Sequence, residues 1–439
     1  MSLHIKGNPR PILTFTTIIV IGVIIGILIK KIGFFWVITI PNIFALGLMM
    51  VLLITYYEAK SPKKAAKDGA FPTVSVIVPS YNSKGTIMKC IESIKASDYP
   101  GKMEIIVVDD GSQDGSKEML NQVEGINFMV LEKNLGKSGA INMALKIAKG
   151  EVIACVDSDS YPEPDALREA ISMLMADENI GVVTCFIQAA NPNTLFKKLQ
   201  AIEYMTGFGF FHVAARFLDA ISVAPGPTSI FRKSALEKIG GFDEGNITED
   251  LEIAWRMRKY GYKIEYCPHA VSYTEVPETL SHLMKQRVRW YRGKYFNVQK
   301  HSDVLFNPKY GLFSMFFLPI SFSAELSGVV LSFSFLYIIA NQILWAAQYY
   351  SSVIALGGSV FLSSGGAVSI SISALVMSII LVSPWFIVVY LSYLMAGKKF
   401  GLYDLLSIVV FFVIYGLVIS AFYCITFLKE VNRSDYVWK

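Results

Sequence analysis

Charge, paired cysteines and long basic runs are all scarce in this sequence of 439 residues. Charged residues make up 17% of the chain and hydrophobic residues 53%. A soluble chain carries about 25% charged residues, so part of this chain is expected to lie in lipid. Five cysteines stand without a Cys-x-x-Cys pair, which predicts buried thiols in a reducing compartment rather than a disulfide framework. The net charge of +5, without a basic block, argues against a nucleic-acid partner.

Two long apolar runs lie near the N-terminus, at residues 12–29 and 34–57. Each reaches the length of about 18 residues that suggests a membrane-spanning helix, and the pair predicts a helical hairpin in a first domain, residues 1–60. The absence of a small-residue cleavage pattern between the runs disfavours a signal peptide. Four lysines from Lys60 to Lys67 follow, and the positive-inside rule then places the N-terminus and the next domain in the cytoplasm.

Apolar residues return in a C-terminal region, residues 321–439, that is expected to be a membrane domain. Three spans are predicted, one within 312–340 and the others at 367–395 and 405–428. Before the first span, Pro319 is expected to break an interfacial segment. The stretch 345–364, rich in glycine, serine and tyrosine, predicts an external loop or a fourth, weaker span. Three spans are favoured because Lys398 and Lys399 then lie in the cytoplasm. The chain is therefore expected to be a multi-pass protein of the plasma membrane.

Residues 71–275, between the apolar ends, have the pattern of an α/β domain. Runs of β-branched residues of strand length alternate with segments of helical apolar spacing. The strands are expected at 74–79, 104–108, 127–131 and 152–156, and the helices at 86–96, 116–124 and 137–149. This alternation predicts a parallel, Rossmann-like sheet with right-handed crossovers, in which ligands bind beyond the carboxyl ends of the strands.

Two aspartates one residue apart, Asp157 and Asp159, directly follow the predicted strand 152–156. In an extended turn, residues i and i+2 point to the same side, so both carboxylates could bind Mg²⁺ or Mn²⁺ and leave positions for phosphate oxygens. The alternative interpretation is a helix cap with a solvated turn, since Ser160 and Asp165 could start the following helix.

Further polar residues follow the other predicted strands. Asp109 and Asp110 open the sequence Asp-Asp-Gly-Ser, in which a carboxylate could accept hydrogen bonds from a base or a ribose, or could only stabilise a turn. Tyr81 could stack on a base or be an ordinary half-buried loop residue. Lys137 begins the third helix, where a cation and free backbone N–H groups could hold phosphate.

The sequence Thr248-Glu249-Asp250 opens a later helical pattern. Thr248 could be its N-cap, with the acidic residues in the first turn favoured by the helix dipole. Asp250 could equally be a general base that takes a proton from an acceptor hydroxyl. The sequence supports these two interpretations equally.

The sequence Gln286-Arg287-Val288-Arg289-Trp290 ends a basic, aromatic stretch. The forked donors of Arg287 and Arg289 suit a diphosphate, and the flat face of Trp290 suits a sugar ring. The alternative is an amphipathic helix on the membrane surface with snorkelling arginines.

Taken in order, VSVIVPSYN, VVDDGSQDGS, NLGKSGA, VDSDS, TED and QRVRW give a series that resembles the processive family-2 glycosyltransferases. These include hyaluronan, chitin, cellulose and poly-N-acetylglucosamine synthases. The resemblance covers residues 74–294 and extends to the flanking apolar segments, and the ordered series is far more specific than any single motif. It implies a GT-A fold inserted between transmembrane segments, an inverting transfer from a UDP-sugar, and a bound Mg²⁺ or Mn²⁺.

The resemblance also implies a role for each candidate residue. On the donor side it implies Tyr81 and Asp109 or Asp110 at the uracil, Lys137 near the nucleotide, Asp157 at the ribose or metal, and Asp159 at the metal. On the acceptor side it implies Asp250 as the base, Arg287 and Arg289 at the leaving UDP, and Trp290 under the acceptor sugar. Glu249 and Gln286 are expected among the substrate-binding residues. Residues 276–320 would be interfacial helices, and the membrane helices would form a channel for the polymer.

Three functions are kept open by the sequence. A processive polysaccharide synthase that uses UDP-N-acetylglucosamine or a related hexose donor is favoured by QRVRW. A non-processive transferase to a polyprenyl phosphate or another lipid acceptor ordinarily lacks that motif. A transport or scaffold protein would bind nucleotide sugars without turnover. Accessory subunits stay open in each case.

Overall fold

An eight-stranded mixed sheet lies at the centre of residues 71–275. The structure is a computed structural model that describes residues 4–5, 71–356, 385–432 and 435–437. The strands of the sheet are β1 Val74–Ser80, β2 Met103–Asp109, β3 Asn127–Val130, β4 Val152–Val156, β5 Ser160–Pro162, β6 Ile180–Ala189, β7 Thr228–Arg232 and β8 Lys263–Thr274. Their spatial order is β3-β2-β1-β4-β7-β6-β8-β5. A separate two-residue ladder pairs His4–Ile5 with Tyr436–Val437.

Helices surround the sheet and continue to the C-terminal part of the chain. The α-helices are α1 Ile87–Lys95, α2 Ser116–Leu120, α3 Gly136–Leu145, α4 Ala166–Met175, α5 Leu195–Tyr204, α6 His212–Phe217, α7 Lys233–Ile239, α8 Glu249–Lys259, α9 Leu280–Lys300, α10 Leu318–Ala355, α11 Trp385–Met395, α12 Leu402–Val410 and α13 Gly416–Val431. The π-helical segments are Met205–Phe211, Phe313–Phe317 and Phe411–Tyr415, and a 3₁₀ turn spans Pro308–Tyr310.

The first half of the sheet confirms the predicted alternation. Strands β1, β2, β3 and β4 are parallel, and α1, α2 and α3 lie between them in sequence. Alternate residues of β1 enter two cores, with Val76 packed beside α1 and α4, and Ile77 packed beside α3 and α8. Strands β1, β2 and β4 are largely apolar and buried, as parallel strands covered on both faces are, while the edge strand β3 is partly exposed.

The second half of the sheet, for which the sequence made no prediction of strand direction, is mixed. Strand β7 runs antiparallel to both of its neighbours, β4 and β6, while β6 and β8 are parallel. A strand buried on both faces has the same apolar pattern in either direction. Its direction depends instead on how the chain returns after α5 and α6, which local spacing does not reveal.

The C-terminal helices differ from the predicted spans in their lengths. Helix α10 follows a π-helical segment directly and keeps Pro319 in its first turn, where the missing N–H of a proline is tolerated. Pro319 therefore does not break the helix. The segment expected to be a loop or weak span from residue 345 is, as far as Ala355, a continuation of α10.

Within the described residues, one helix is long and apolar enough to cross a membrane, Asp404–Val431 with a mean hydropathy of 2.7. It corresponds to the predicted span at 405–428. The predicted runs 12–29 and 34–57 lie outside the described residues, as does most of 367–395.

Candidate active site

Loops that follow β1 and β2 meet at the carboxyl end of the parallel strands. The backbone N–H of Asn82 donates to Ser112 Oγ at 2.9 Å, and the N–H of Gln113 donates to Asn82 Oδ1 at 2.8 Å. Asn82 has a φ of 51°, a conformation that asparagine tolerates better than most residues. Tyr81, the adjacent residue, is 44% exposed. The fold therefore presents an aromatic ring at the edge where ligands bind in sheets of this type.

Asp109 and Asp110 are both buried beside this loop. Asp109 accepts the N–H of Ser112 at 3.1 Å, and its Oδ1 is buried without a hydrogen-bond donor among the described residues. Asp110 accepts the N–H of Leu135 at 2.7 Å and thereby holds the segment that precedes α3. Burial raises the pKa of Asp110. The two carboxylates thus join the loops around the cleft. That Asp109 or Asp110 contacts a nucleotide base stays a prediction.

Lys137 connects two motifs that lie far apart in the sequence. Its Nζ is 2.6 Å from Asp157 Oδ1 and 2.8 Å from Glu249 Oε1. Burial favours the neutral amine, but Asp157, Glu249 and Asp250 outweigh it and raise the pKa of Lys137. Lys137 and Arg289 likewise outweigh the effect of burial on Glu249 and lower its pKa. The acidic turn after β4 and the start of α8 therefore face each other across one ammonium group.

Asp157 and Asp159 lie in the turn between β4 and β5. Burial, and then the charge of Asp157, raise the pKa of Asp159 to about 6. Ser160 lies in β5 and donates from its hydroxyl to Asp159 Oδ1 at 3.2 Å. Asp165 occupies the N-cap position of α4 but makes no side-chain cap. The alternative interpretation, in which Ser160 and Asp165 start a helix, was therefore wrong for Ser160.

The carboxylates of Asp157 and Asp159 suit a hard divalent cation by their chemistry. Mg²⁺ in nucleotide sites is usually bound by one or two carboxylates, with phosphate oxygens and water as further ligands. A cation would also relieve the repulsion that raises the pKa of Asp159. Among the described residues, no group of three or more His, Cys, Asp or Glu side chains could hold a metal ion by itself. The two carboxylates by themselves would leave coordination positions of such a cation open for other oxygen ligands.

Gly226 is part of the same cluster and was assigned no role from the sequence. A Cβ at this position would overlap Lys137 Nζ and lie 2.6 Å from Asp157 Oδ2. The backbone before β7 therefore packs directly against the ion pair, and a side chain at this position would have to displace the Lys137 ammonium or the Asp157 carboxylate.

Asp250 lies in the first turn of α8, beside Glu249. Burial, and then the charge of Glu249, raise the pKa of Asp250 to about 6. Its backbone oxygen accepts the N–H of Ala224 at 2.9 Å, which fixes the turn. Thr248 occupies the N-cap position, but its side chain makes no capping hydrogen bond. The predicted N-cap position of Thr248 is therefore confirmed, but its hydroxyl does not cap the helix and accepts instead from Asn297 Nδ2 at 3.0 Å.

The two arginines of QRVRW point to different surroundings. Arg289 Nη1 donates to the carbonyl of Ile247 at 3.3 Å, next to the start of α8. Arg287 is completely buried and donates to both oxygens of Glu203, from Nε at 3.0 Å and from Nη2 at 2.6 Å. Its guanidinium also stacks on Trp290 at 4.2 Å from the ring centroid and donates to Gln286. This geometry does not match the expected contact between Arg287 and a leaving diphosphate.

Glu203 is a partner that the motif series did not contain. Besides Arg287, it accepts a hydrogen bond from the hydroxyl of Tyr415 at 2.6 Å. Arg292 of α9 pairs with Glu430 at 2.6 Å, and Lys294 pairs with Glu325 at 2.5 Å. Charged residues of α9 are thus buried in ion pairs with α5, α10 and α13, which does not fit a helix lying on a membrane surface with snorkelling arginines.

The mixed sheet and the acidic site at its edge fit the GT-A fold that the sequence predicted. Residues 75–240 match the model of glycosyl transferase family 2. The chain is 31% identical over 282 residues to a poly-β-1,6-N-acetyl-D-glucosamine synthase of Staphylococcus epidermidis, covering 63% of this chain and 68% of the relative. The corresponding synthase of Staphylococcus aureus strain MSSA476 is 33% identical over 50% of this chain and 54% of the relative.

A similar fold is found among solved structures. An example is a mannosyltransferase from Pyrobaculum calidifontis in complex with GDP-Man and Mn²⁺, with a TM-score of 0.50 and 22% identity, covering 80% of this chain and 98% of that one. The match to the family model and the identity with the synthase of Staphylococcus epidermidis show that the chain belongs to the polysaccharide-synthase-like glycosyltransferases of family 2.

Proposed function

We propose that the protein transfers a sugar from a UDP-sugar, UDP-N-acetylglucosamine or a related hexose donor, to the hydroxyl end of a growing polysaccharide. The observation that carries this proposal is the bridge made by Lys137 between Asp157 and Glu249. It brings the acidic turn suited to a metal diphosphate within one side chain of the helix that carries Asp250. The related synthases make a polymer of N-acetylglucosamine, as their names state, and this supports the choice of donor.

Asp250 acts as the general base in this proposal. A pKa near 6 leaves the carboxylate ionised at neutral pH and still basic enough to take a proton as the acceptor oxygen attacks. The oxygen approaches the anomeric carbon from the side opposite the diphosphate, so the configuration inverts. Glu249 stays ionised against Lys137 and keeps the local charge negative, which favours proton uptake by Asp250.

Departure of UDP places negative charge on the diphosphate. Asp157 and Asp159 would hold Mg²⁺ or Mn²⁺, and the bound ion would neutralise part of the developing charge. Lys137 adds a positive charge on the same side of the cleft. Arg289 is the arginine of QRVRW that lies beside α8, so we assign the leaving-group contact to Arg289 and a structural role to Arg287.

Tyr81 and the pair Asp109 and Asp110 would hold the uracil. Tyr81 is exposed where it could stack on a base, and an oxygen of Asp109 has no donor among the described residues. Trp290 and Gln286 line the acceptor side in this proposal, with Trp290 held by the guanidinium of Arg287.

Processive synthesis and translocation of the polymer belong to the same proposal. We assign residues 71–275 to a cytoplasmic catalytic domain, 276–320 to an interfacial region, and 1–60 and 321–439 to membrane segments of a multi-pass protein. Helix α9 supports this arrangement because its buried ion pairs join the catalytic sheet to α10 and α13. A helix fixed to both parts would hold the growing chain end at the mouth of a channel.

The test uses the purified full chain in lipid vesicles with radiolabelled UDP-N-acetylglucosamine and Mn²⁺. We expect a long product that a hexosaminidase degrades, with loss of activity when EDTA removes the metal. Release of UDP with only a single-sugar lipid product would overturn the polysaccharide synthase in favour of transfer to a lipid acceptor. UDP binding without turnover of any donor would overturn the enzyme itself.

A further inference from the structure

Helix α9 contacts the segment before Asp250 through residues at regular helical spacing. Arg289, Gly293 and Asn297 lie four residues apart, so they form one stripe along the helix. The stripe faces the three residues that precede Glu249, namely 246–248. Only Arg289 of the stripe belongs to a recognised motif.

Gly293 sets the distance between α9 and this segment. A Cβ on Gly293 would overlap Cγ2 and Oγ1 of Thr248 and lie 2.8 Å from its Cβ. The helix axis therefore approaches Thr248 as closely as a glycine permits. No larger side chain fits without displacing the start of α8.

Asn297 supplies the polar part of the contact and is completely buried. Its Oδ1 accepts from Asn246 Nδ2 at 2.8 Å, and its Nδ2 lies 3.2 Å from Asn246 Oδ1 and 3.0 Å from Thr248 Oγ1. Asn246 Oδ1 in turn accepts the backbone N–H of Thr248 at 3.0 Å. A buried network of this kind fixes geometry, since every lost partner leaves a buried polar group unsatisfied.

We propose that Asn297 is a positioning residue for glycosyl transfer, which holds Asp250 against the acceptor through Asn246 and Thr248. This rests on the proposed function of Asp250 as base. The same stripe carries Arg289 at one end, so α9 sets the distance between the base and the residue assigned to the leaving group. In this proposal the acceptor hydroxyl lies between Asp250 and Arg289 when it loses its proton.

The experiment compares Asn297→Asp with a matched change, Asn142→Asp. Asn142 also holds the loop before α8, through Phe242 and Glu244, but farther from Asp250. Both variants keep the shape of asparagine, replace its amide donor by an oxygen and add an ionisable carboxyl group, so the chemical change is the same at the two positions. For Asn297→Asp we expect kcat for UDP-N-acetylglucosamine to fall on the order of 10²-fold, since a small misplacement of a reacting group has effects of this size. The donor KM and the affinity for UDP with Mn²⁺ should stay near wild type.

Two further measurements separate positioning from loss of folding. Thr248→Val removes only the hydroxyl that accepts from Asn297 and should lower kcat in the same direction, by a smaller factor. Amide hydrogen exchange at 248–252 should be faster in Asn297→Asp and near wild type in Asn142→Asp.

Three results would overturn the proposal. The first is an Asn297→Asp variant as active as a sugar-transferring wild type. The second is a fall of both kcat and UDP affinity that is as large in Asn142→Asp as in Asn297→Asp, which would indicate general destabilisation. The third is a wild type that transfers no sugar, which overturns the proposed function together with this inference and is thereby distinguished from the first two.

Discussion

The donor side and the acceptor side of the cleft are built in different ways. The donor side consists of loops that directly follow β1, β2 and β4, held together by hydrogen bonds between adjacent loops such as that between Asn82 and Ser112. The acceptor side consists of α8 and α9, which are fixed by contacts between residues distant in sequence, such as Arg287 with Glu203. Lys137 joins the two. A change on the acceptor side can therefore abolish sugar transfer and leave nucleotide binding intact.

The largest expected effect is that of Asp250→Asn. An amide cannot take the proton, so kcat for sugar transfer should fall by about 10²–10⁴-fold, the usual contribution of a general base. Affinity for UDP with Mn²⁺, measured by calorimetry, should stay near wild type because the donor side is intact. Asp243→Asn is the matched control in the preceding loop, where Asp243 pairs with Lys300. Loss of UDP binding in Asp250→Asn would contradict the separation of the two sides.

The second prediction concerns the ion pair that holds α9. Glu203→Gln leaves the guanidinium of Arg287 buried without its carboxylate, and should lower the free energy of unfolding by about 3–5 kcal/mol. Chemical denaturation of the purified protein measures this. Glu278→Gln removes the exposed partner of Lys197 on the same helix α5 and should cost less than about 1 kcal/mol. If Glu203→Gln and Glu278→Gln lower the free energy of unfolding equally, the burial of Arg287 does not make its ion pair more important for stability than an exposed one.

The third prediction concerns Gly226, which packs on the ion pair between Lys137 and Asp157. Gly226→Ala should push these groups apart and weaken UDP binding about tenfold, as expected for overpacking of 1–3 kcal/mol. The control is Gly85→Ala on the donor side, where a Cβ meets no atom within 4 Å. A normal UDP affinity in Gly226→Ala would show that the ion pair does not form part of the donor site.

The sequence predicted the donor side better than the acceptor side, for physical reasons. Strand and helix periods are local, so β1 to β4 and the positions of Asp109 and Asp157 at strand ends could be inferred. The direction of β7 and the partner of Arg287 depend on how distant segments pack, which no local period records. The stripe from Arg289 to Asn297 had a signal in its spacing of four residues, but nothing in the sequence indicated which segment it faces.

The smallest expected effect is the pH dependence of transfer, which would sharpen the assignment of the base. Burial and Glu249 raise the pKa of Asp250 to about 6, and only the carboxylate accepts a proton, so kcat/KM should fall as the pH is lowered through about 6. UDP affinity at saturating Mn²⁺ should fall less over the same range.

A raised carboxyl pKa also favours folding below the unfolded value of 3.8, and this contribution is lost as the pH rises through about 6. The wild type should therefore lose thermal stability relative to Asp250→Asn between about pH 4 and pH 6. Parallel stability curves for the two proteins would contradict a raised pKa at Asp250.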